Sequence, residues 1–250
     1  GEVDLAWASF PCQDLSLAGN GAGLKGSRSG TFWPFMNLMQ KLKREKRAPR
    51  LIALENVCGA VTSHGGRDFS KILSALSGCG YQFGALVVDA VHFVPQSRPR
   101  LFVIAVHGDL DLPINFVDDS PTSLWHPPAL IEIQSLLSKS TAEKWKWWKL
   151  PAPPAPKINL STVIEDVPTG VEWHSSEETK YLLSLMSKLN LNKVNAAVKA
   201  GRKIVGTVYR RTRPDGSGGK HQRAEVRFDN VAGCLRTPTG GSSRQTIIVI

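Results

Sequence analysis

The first apolar run in the chain, Leu5-Ala6-Trp7-Ala8, is continuous rather than alternating, which predicts a buried strand over residues 3–8. Similar runs place strands at 51–55, 85–89 and 101–107. Between the first two the apolar spacing becomes helical. Phe35, Leu38, Met39 and Leu42 share one side of a helix over 32–47. Lys41, Lys43, Arg44, Lys46 and Arg47 crowd its end, where cations complement the negative pole of the helix, and Pro49 stops it. A second helix over 69–76 carries Phe69, Ile72, Leu73 and Leu76 on one face, with Gly78 and Gly80 as the stop signal. Strand–helix–strand order predicts an α/β architecture: a parallel sheet with helices on its faces.

Beyond residue 108 the pattern changes. Residues 109–120 form an acidic connector. Trp145, Trp147 and Trp148 sit among Lys144, Lys146 and Lys149, and Pro151, Pro153, Pro154 and Pro156 then predict an extended linker. The tryptophans are expected to pack under the proline stretch, the alternative being stacking on bases. Leu182, Leu183, Leu185 and Met186 predict a helix over 179–189, and residues 209–213 a strand followed by a turn over 214–219. The expected organisation is a partial catalytic domain at 1–108 and a linker with a smaller, mainly β region at 109–250. Both ends of the sequence lie in strand-like runs, so a segment of a longer protein, or one subunit of a split one, is expected.

Composition narrows the class. With 42% hydrophobic and 21% charged residues over 250 positions, the chain is neither disordered, a coiled coil nor collagen-like. No apolar run approaches the roughly 18 residues of a membrane-spanning helix, and the N-terminus lacks a signal-peptide pattern. The formal net charge is +10, with a pI near 9.6, which favours an acidic partner, nucleic acid first. Most of that excess lies in residues 193–227, which hold ten Lys or Arg and two Asp or Glu. A basic strand–loop–strand there suits phosphate contact and groove entry, against the alternative of a solvated face. Arg210, Arg211, Arg213 and Arg223 are candidate base readers, because Arg can bond guanine through two hydrogen bonds. Cys12, Cys58, Cys79 and Cys234 form no C-x-x-C pair, so no metal site is expected, and scattered thiols suit a reducing cytosol. The Asn159-x-Ser161 sequon is taken as chance.

In α/β sheets ligands bind beyond the carboxyl ends of the strands. Phe10-Pro11-Cys12-Gln13 follows the first strand, Glu55-Asn56-Val57 follows the second, and Gln96-Ser97-Arg98-Pro99-Arg100 precedes the last. A Cys there can act as a nucleophile through its thiolate, a Glu as proton donor or anchor for a planar ring, and arginines can hold a carbonyl or phosphate. Read singly, each has a structural alternative: a packed Cys, a turn or cap, a solvated Arg-x-Arg. Gly21-x-Gly23-x-x-Gly26 matches a dinucleotide fingerprint, but it is not at a strand-to-helix turn and no acidic residue follows at the expected distance, so a flexible loop is expected instead.

Together, in this order and spacing, Pro11-Cys12-Gln13, Glu55-Asn56-Val57 and Gln96-x-Arg98-x-Arg100 resemble the central motifs of DNA (cytosine-5)-methyltransferases. The likeness includes Gly26-Ser27-Arg28-Ser29-Gly30-Thr31-Phe32 and resumes at Leu235-Arg236-Thr237-Pro238-Thr239-Gly240-Gly241, which resembles the late part of a target-recognition region. The resemblance implies a partial Rossmann-like class I methyltransferase sheet with a smaller target-recognition domain. It implies that the Cys12 thiolate adds to C6 of a flipped cytosine in duplex DNA and that C5 takes a methyl group from S-adenosylmethionine. Glu55 would hydrogen-bond and protonate the ring, with Arg98 and Arg100 steadying the base and Glu55. Pro11, Phe32 and Trp33 would line the cofactor, and Gln13, Ser16, Arg28 and Gln96 would face DNA. The loop at 19–30 would close over DNA after the base flips. The family's opening Phe-x-Gly-x-Gly motif and its closing motif are absent, so the main cofactor-binding motif is expected outside this chain. The resemblance points to a bacterial or phage enzyme of a restriction-modification system, working in the cytoplasm. Alternatives are a non-catalytic DNA-binding module and an RNA cytosine methyltransferase of the same fold.

Overall fold

The computed structural model describes residues 3–11, 24, 29–155, 158–214, 219–235 and 244–250, and they form two compact units. The first comprises Gly1–Val88 and Pro99–Ala152, the second Asp89–Arg98 and Pro153–Ile250.

In the first unit the strands β1 (Leu5–Ala8), β2 (Leu51–Asn56), β3 (Tyr81–Asp89) and β4 (Pro99–His107) make one sheet in the order β1-β2-β4-β3. The pair β1–β2 is parallel, as strand–helix–strand order requires. The strand β4 instead runs antiparallel to β2, with Glu55 opposite Phe102. The reason lies in the connection. Residues 90–98 hold one 3₁₀ turn, and a parallel return needs a crossover of a dozen or more residues, usually a helix. The sheet is therefore mixed where an all-parallel one was expected.

Helix α1 (Phe32–Arg44) buries Phe32, Met36 and Met39. After the short α2 (Gly59–Thr62), α3 (Arg67–Gly78) buries Phe69, Ile72, Leu73 and Leu76. These side chains pack with Ile52, Leu54, Phe83, Leu101 and Val103 into the main core. The run Ile52-Ala53-Leu54 is buried throughout, the pattern of a strand covered on both faces. By contrast β1 keeps Leu5 50% and Trp7 56% exposed, so its continuous apolar run is not matched by burial among the described residues. Tyr81 donates a hydrogen bond to the Pro49 carbonyl at 2.7 Å, and burial, reinforced by neighbouring Cys79, pushes its phenol pKa up to about 12.

The expected boundary at 108 would assign residues 109–152 to the second half, but they pack on the first. They contain β5 (Val117–Asp118), α4 (Pro128–Ser135), α5 (Lys139–Ala142) and β6 (Trp147–Trp148). The tryptophans decide this, for Trp145 and Trp148 pack on the sheet. Trp145 meets Phe83 edge-on at 6.5 Å, and Trp148 donates from Nε1 to the Ile104 carbonyl at 3.2 Å. The backbone passes so close to Gly84 that a Cβ there would lie 1.9 Å from the Lys146 carbonyl oxygen.

One buried acid sets a pH limit on this unit. Asp68 accepts from Ser63 Oγ at 2.7 Å and is paired with His64 Nδ1 at 2.6 Å. Burial alone would raise its pKa, but the His64 and Ser63 hydrogen bonds outweigh it and hold the carboxyl below its ordinary value. The resulting stability is complete above the unfolded carboxyl's pKa, about 3.9, and is lost as pH falls below it. Urea melts should show Asp68→Asn less stable than the wild type by about 1–2 kcal/mol near pH 6, with the gap closing toward pH 3. A gap independent of pH would refute the assignment.

The second unit carries helix and strand in similar amounts. The strands β7 (Val205–Pro214), β8 (Lys220–Arg227) and β9 (Gln245–Val249) form an antiparallel sheet in the order β8-β7-β9. After α6 (Leu160–Val163), the helix expected at 179–189 is two: α7 (Ser176–Ser184), opened by a Ser175–Glu178 capping box, and α8 (Lys188–Lys199). The break falls where the Leu185 carbonyl accepts from Ala224 N at 3.0 Å, which draws the chain onto β8. Met186, Val194, Val208, Ala224 and Val226 form the core of this unit.

Candidate active site and nucleic-acid interface

Glu55 is the penultimate residue of β2, at the end where α/β sheets place ligands. Its Oε1 lies 3.0 Å from Arg100 Nε, and the two side chains are 24% and 20% exposed. The antiparallel pairing brings Arg100, near the start of β4, to the end of β2. A partly buried charge pair of this geometry orients the carboxylate while leaving one oxygen for a ligand.

The next residue ties this strand end to the first motif. Asn56 is buried. Its Nδ2 donates to the Phe10 carbonyl at 3.1 Å, and its Oδ1 accepts from Val57 N at 2.9 Å. The chain entering Pro11-Cys12 is thus bonded to the residue beside Glu55. Asn56→Ala removes both bonds, and any reaction that Glu55 serves is expected to slow by about 10–100-fold, the scale of an ångström-sized misplacement. Steady-state kinetics with an unchanged thermal melt would check this, and a kcat within twofold of wild type would refute it.

Around this point Phe10 packs on Phe32 at 5.3 Å and Phe32 on Trp33 at 5.1 Å. Phe32, expected to touch the cofactor, has no exposed surface; it is a core residue that backs its neighbours. Pro11 is exposed, and Trp33 is 37% exposed with Nε1 donating to the Leu24 carbonyl at 3.3 Å. An exposed proline and a pinned indole fit the apolar side of an adenosyl or methionine group. Cys12, Gln13, Ser16, Arg28 and the glycines Gly21, Gly23 and Gly26 lie outside the described residues, as do Arg236 to Gly241 and the turn at 215–218.

The expected arginine pair is divided between tasks. Arg100 holds Glu55 in the first unit. Arg98 belongs to the second, where its Nη1 donates to the Leu235 carbonyl at 3.0 Å and lies 3.2 Å from Cys234 Sγ. Gln96 accepts from Leu235 N through Oε1 at 3.3 Å. Asp89, which sequence reasoning passed over, accepts from Arg98 N at 2.6 Å and Val91 N at 3.1 Å. It closes β3, so the same search beyond strand ends that found Glu55 would have reached it.

The basic hairpin sorts its arginines by strand parity. Arg211 stands opposite Arg223 and Arg213 opposite His221, whereas Arg210 stands opposite Ala224. Side chains alternate faces along a strand, so Arg210 shares the parity of Val208, opposite the core residue Val226, while Arg211 and Arg223 belong to the other face. On that face Tyr209 donates to Glu225 at 2.6 Å, and the Arg211 guanidinium lies 4.7 Å from the Tyr209 ring centroid. These contacts fix the Arg211 side chain, while Arg211 and Arg223 both stay exposed.

Residues 1–242 match the family model for C-5 cytosine-specific DNA methylase, and the chain belongs to that family. It is 40% identical over 103 residues to the type II methyltransferase M2.BsuMI of Bacillus subtilis (strain 168), covering 41% of this chain and 26% of that protein. It is 28% identical over 191 residues to M.NgoBI of Neisseria gonorrhoeae, covering 72% and 57%. The chain therefore spans between about a quarter and just over half the length of these relatives. The crystal structure of a Spodoptera frugiperda DNMT2 mutant superposes with a TM-score of 0.42 at 20% identity, over 66% of this chain and 40% of that one.

Proposed function

We propose that this chain is the catalytic and target-recognition part of a DNA (cytosine-5)-methyltransferase of a bacterial or phage restriction-modification system, acting in the cytoplasm on duplex DNA. The observation that carries it is the joint geometry of two motifs: Glu55 gripped by Arg100 at 3.0 Å, with Asn56 bonded to the chain that leads into Pro11-Cys12.

Cytosine resists electrophiles at C5. In the proposed reaction the Cys12 thiolate adds to C6 of the flipped base, and its electron pair makes C5 nucleophilic. Glu55 donates a proton at N3, so the ring accepts that pair without building up negative charge. Arg100 holds the Glu55 carboxyl in the base plane. S-adenosylmethionine, when bound, supplies the electrophilic methyl group. Pro11 and Trp33 would form its apolar wall, and the family's glycine-rich motif would hold the rest. Loss of the C5 proton to a base re-forms the C5–C6 double bond and breaks the C6–S bond, releasing the thiolate, while N3 returns its proton to Glu55. The exposed Arg211 and Arg223 serve phosphate and groove contact.

Transfer of a labelled methyl group from S-adenosylmethionine tests the reading, with the full-length enzyme given plasmid DNA or total tRNA. Label in DNA at positions that bisulfite sequencing reads as 5-methylcytosine is the expected result. Label confined to tRNA, or absent from both, overturns it.

A further inference from the structure

Arg98 and Asp89 make their hydrogen bonds within the second unit, and that bonding points to a task of its own. Residues 89–98 form a closed loop. The Asp89 carboxylate accepts from Val91 N at its start and from Arg98 N at its end, and Ser97 Oγ reaches its second oxygen at 3.4 Å. This loop is zipped to residues 232–235. Ala232 N donates to the Pro95 carbonyl at 2.8 Å and Ser97 N to the Ala232 carbonyl at 2.9 Å. Leu235 is held at both of its backbone groups, its N–H by Gln96 Oε1 and its carbonyl by Arg98 Nη1. A guanidinium whose Nη1 is bonded to a backbone carbonyl is a clamp on chain position.

Leu235 opens the stretch Leu235 to Gly241, whose sequence resembles the late part of a target-recognition region. On the other side, Gly233 N donates to Gln245 Oε1 at 3.2 Å, so the chain before this stretch is also bonded to the start of β9. We infer that Asp89 and Arg98 are positioning residues that fix the root of this stretch through Leu235, and thereby set which DNA sequence is accepted rather than the rate of the chemical step. Arg100, two positions along, serves Glu55 instead. The inference rests on the methyltransferase reading for its consequence, and on hydrogen bonds within one unit for its geometry.

The test uses the full-length enzyme and plasmid DNA, with bisulfite sequencing reporting every methylated context at once. Arg98→Ala and Asp89→Asn are expected to raise KM for DNA about tenfold. They should also cut the preference for the main methylated context over its one-base variants about tenfold, with kcat within threefold of wild type. Arg98→Lys keeps a donor for the Leu235 carbonyl and should restore most of the preference. A kcat loss above a hundredfold with preference and KM intact would place Arg98 on the reacting base and overturn the inference. An unchanged preference in Arg98→Ala would also overturn it. Amide exchange separates this from failure of the methyltransferase reading. Even in an enzyme that methylates nothing, Arg98→Ala should speed exchange at Ala232 and Leu235 about tenfold while β7 amides stay protected. Unchanged exchange at those two amides would show that no clamp exists. Arg98→Lys carries the same comparison if the alanine variant fails to fold.

Discussion

Cys12→Ser in the full-length enzyme is expected to lower methyl transfer by on the order of 10⁴-fold or more, the scale for removing a covalent nucleophile. A thiol is partly ionised near neutral pH and strongly nucleophilic, whereas a serine hydroxyl at the same place is neither without a dedicated base. The decisive measurement uses duplex DNA carrying 5-fluorocytosine together with S-adenosylmethionine. Fluorine at C5 cannot leave as the proton does, so the wild-type enzyme should stay bonded to C6 and shift on a denaturing gel. The serine variant should give no shifted band. A variant that methylates at the wild-type rate, or an adduct mapped to a different residue, would sink the assignment of Cys12.

Glu55→Gln should cost about 10²–10⁴-fold in kcat, the usual contribution of a positioned acid. Glutamine keeps the size of the side chain and its carbonyl, so it isolates the loss of the acidic proton. Arg100→Ala should fall in the lower part of that range, because the 3.0 Å contact to Glu55 orients the acid without performing the transfer. The two effects should be far from additive: once Glu55 is gone, removing Arg100 should cost little more. Arg100→Lys keeps the charge but not the planar Nε donor and should recover only part of the rate. Single-turnover rates for the four variants, including the double one, close the cycle. A Glu55→Gln enzyme within threefold of wild type would remove Glu55 from the reaction, and full additivity would separate Arg100 from it.

Local structure was legible because it is written in short-range spacing. The apolar face of α3 and the strands β2 and β4 stand close to where periodicity placed them, whereas the face of α1 is turned, with Met36 buried and the expected Leu38 50% exposed. The misses have common physical causes. The 179–189 helix reads as continuous because Leu182 to Met186 keep helical spacing across its end, and only the Leu185–Ala224 contact shows why it stops. Trp145 and Trp148 stand among Lys144, Lys146 and Lys149 in sequence, a mixture that suits a surface as well as a core. Their burial is decided by Phe83, Gly84 and Ile104, all more than 40 residues away.

The candidate site divides in the same way. The family was legible in the sequence, because Pro11-Cys12-Gln13, Glu55-Asn56-Val57 and Gln96-x-Arg98-x-Arg100 stand in the order and spacing of its central motifs. It also determined that the cationic charge gathers in residues 193–227. Only the tertiary structure decided which arginine does what. Arg98 and Arg100 differ by two positions, yet one grips the Leu235 carbonyl and the other the Glu55 carboxylate. Arg210 and Arg211 are adjacent, yet strand parity sends them to opposite faces. Each of these outcomes depends on a partner far along the chain. A partner of that kind is selected by register and packing, which local composition and spacing do not encode.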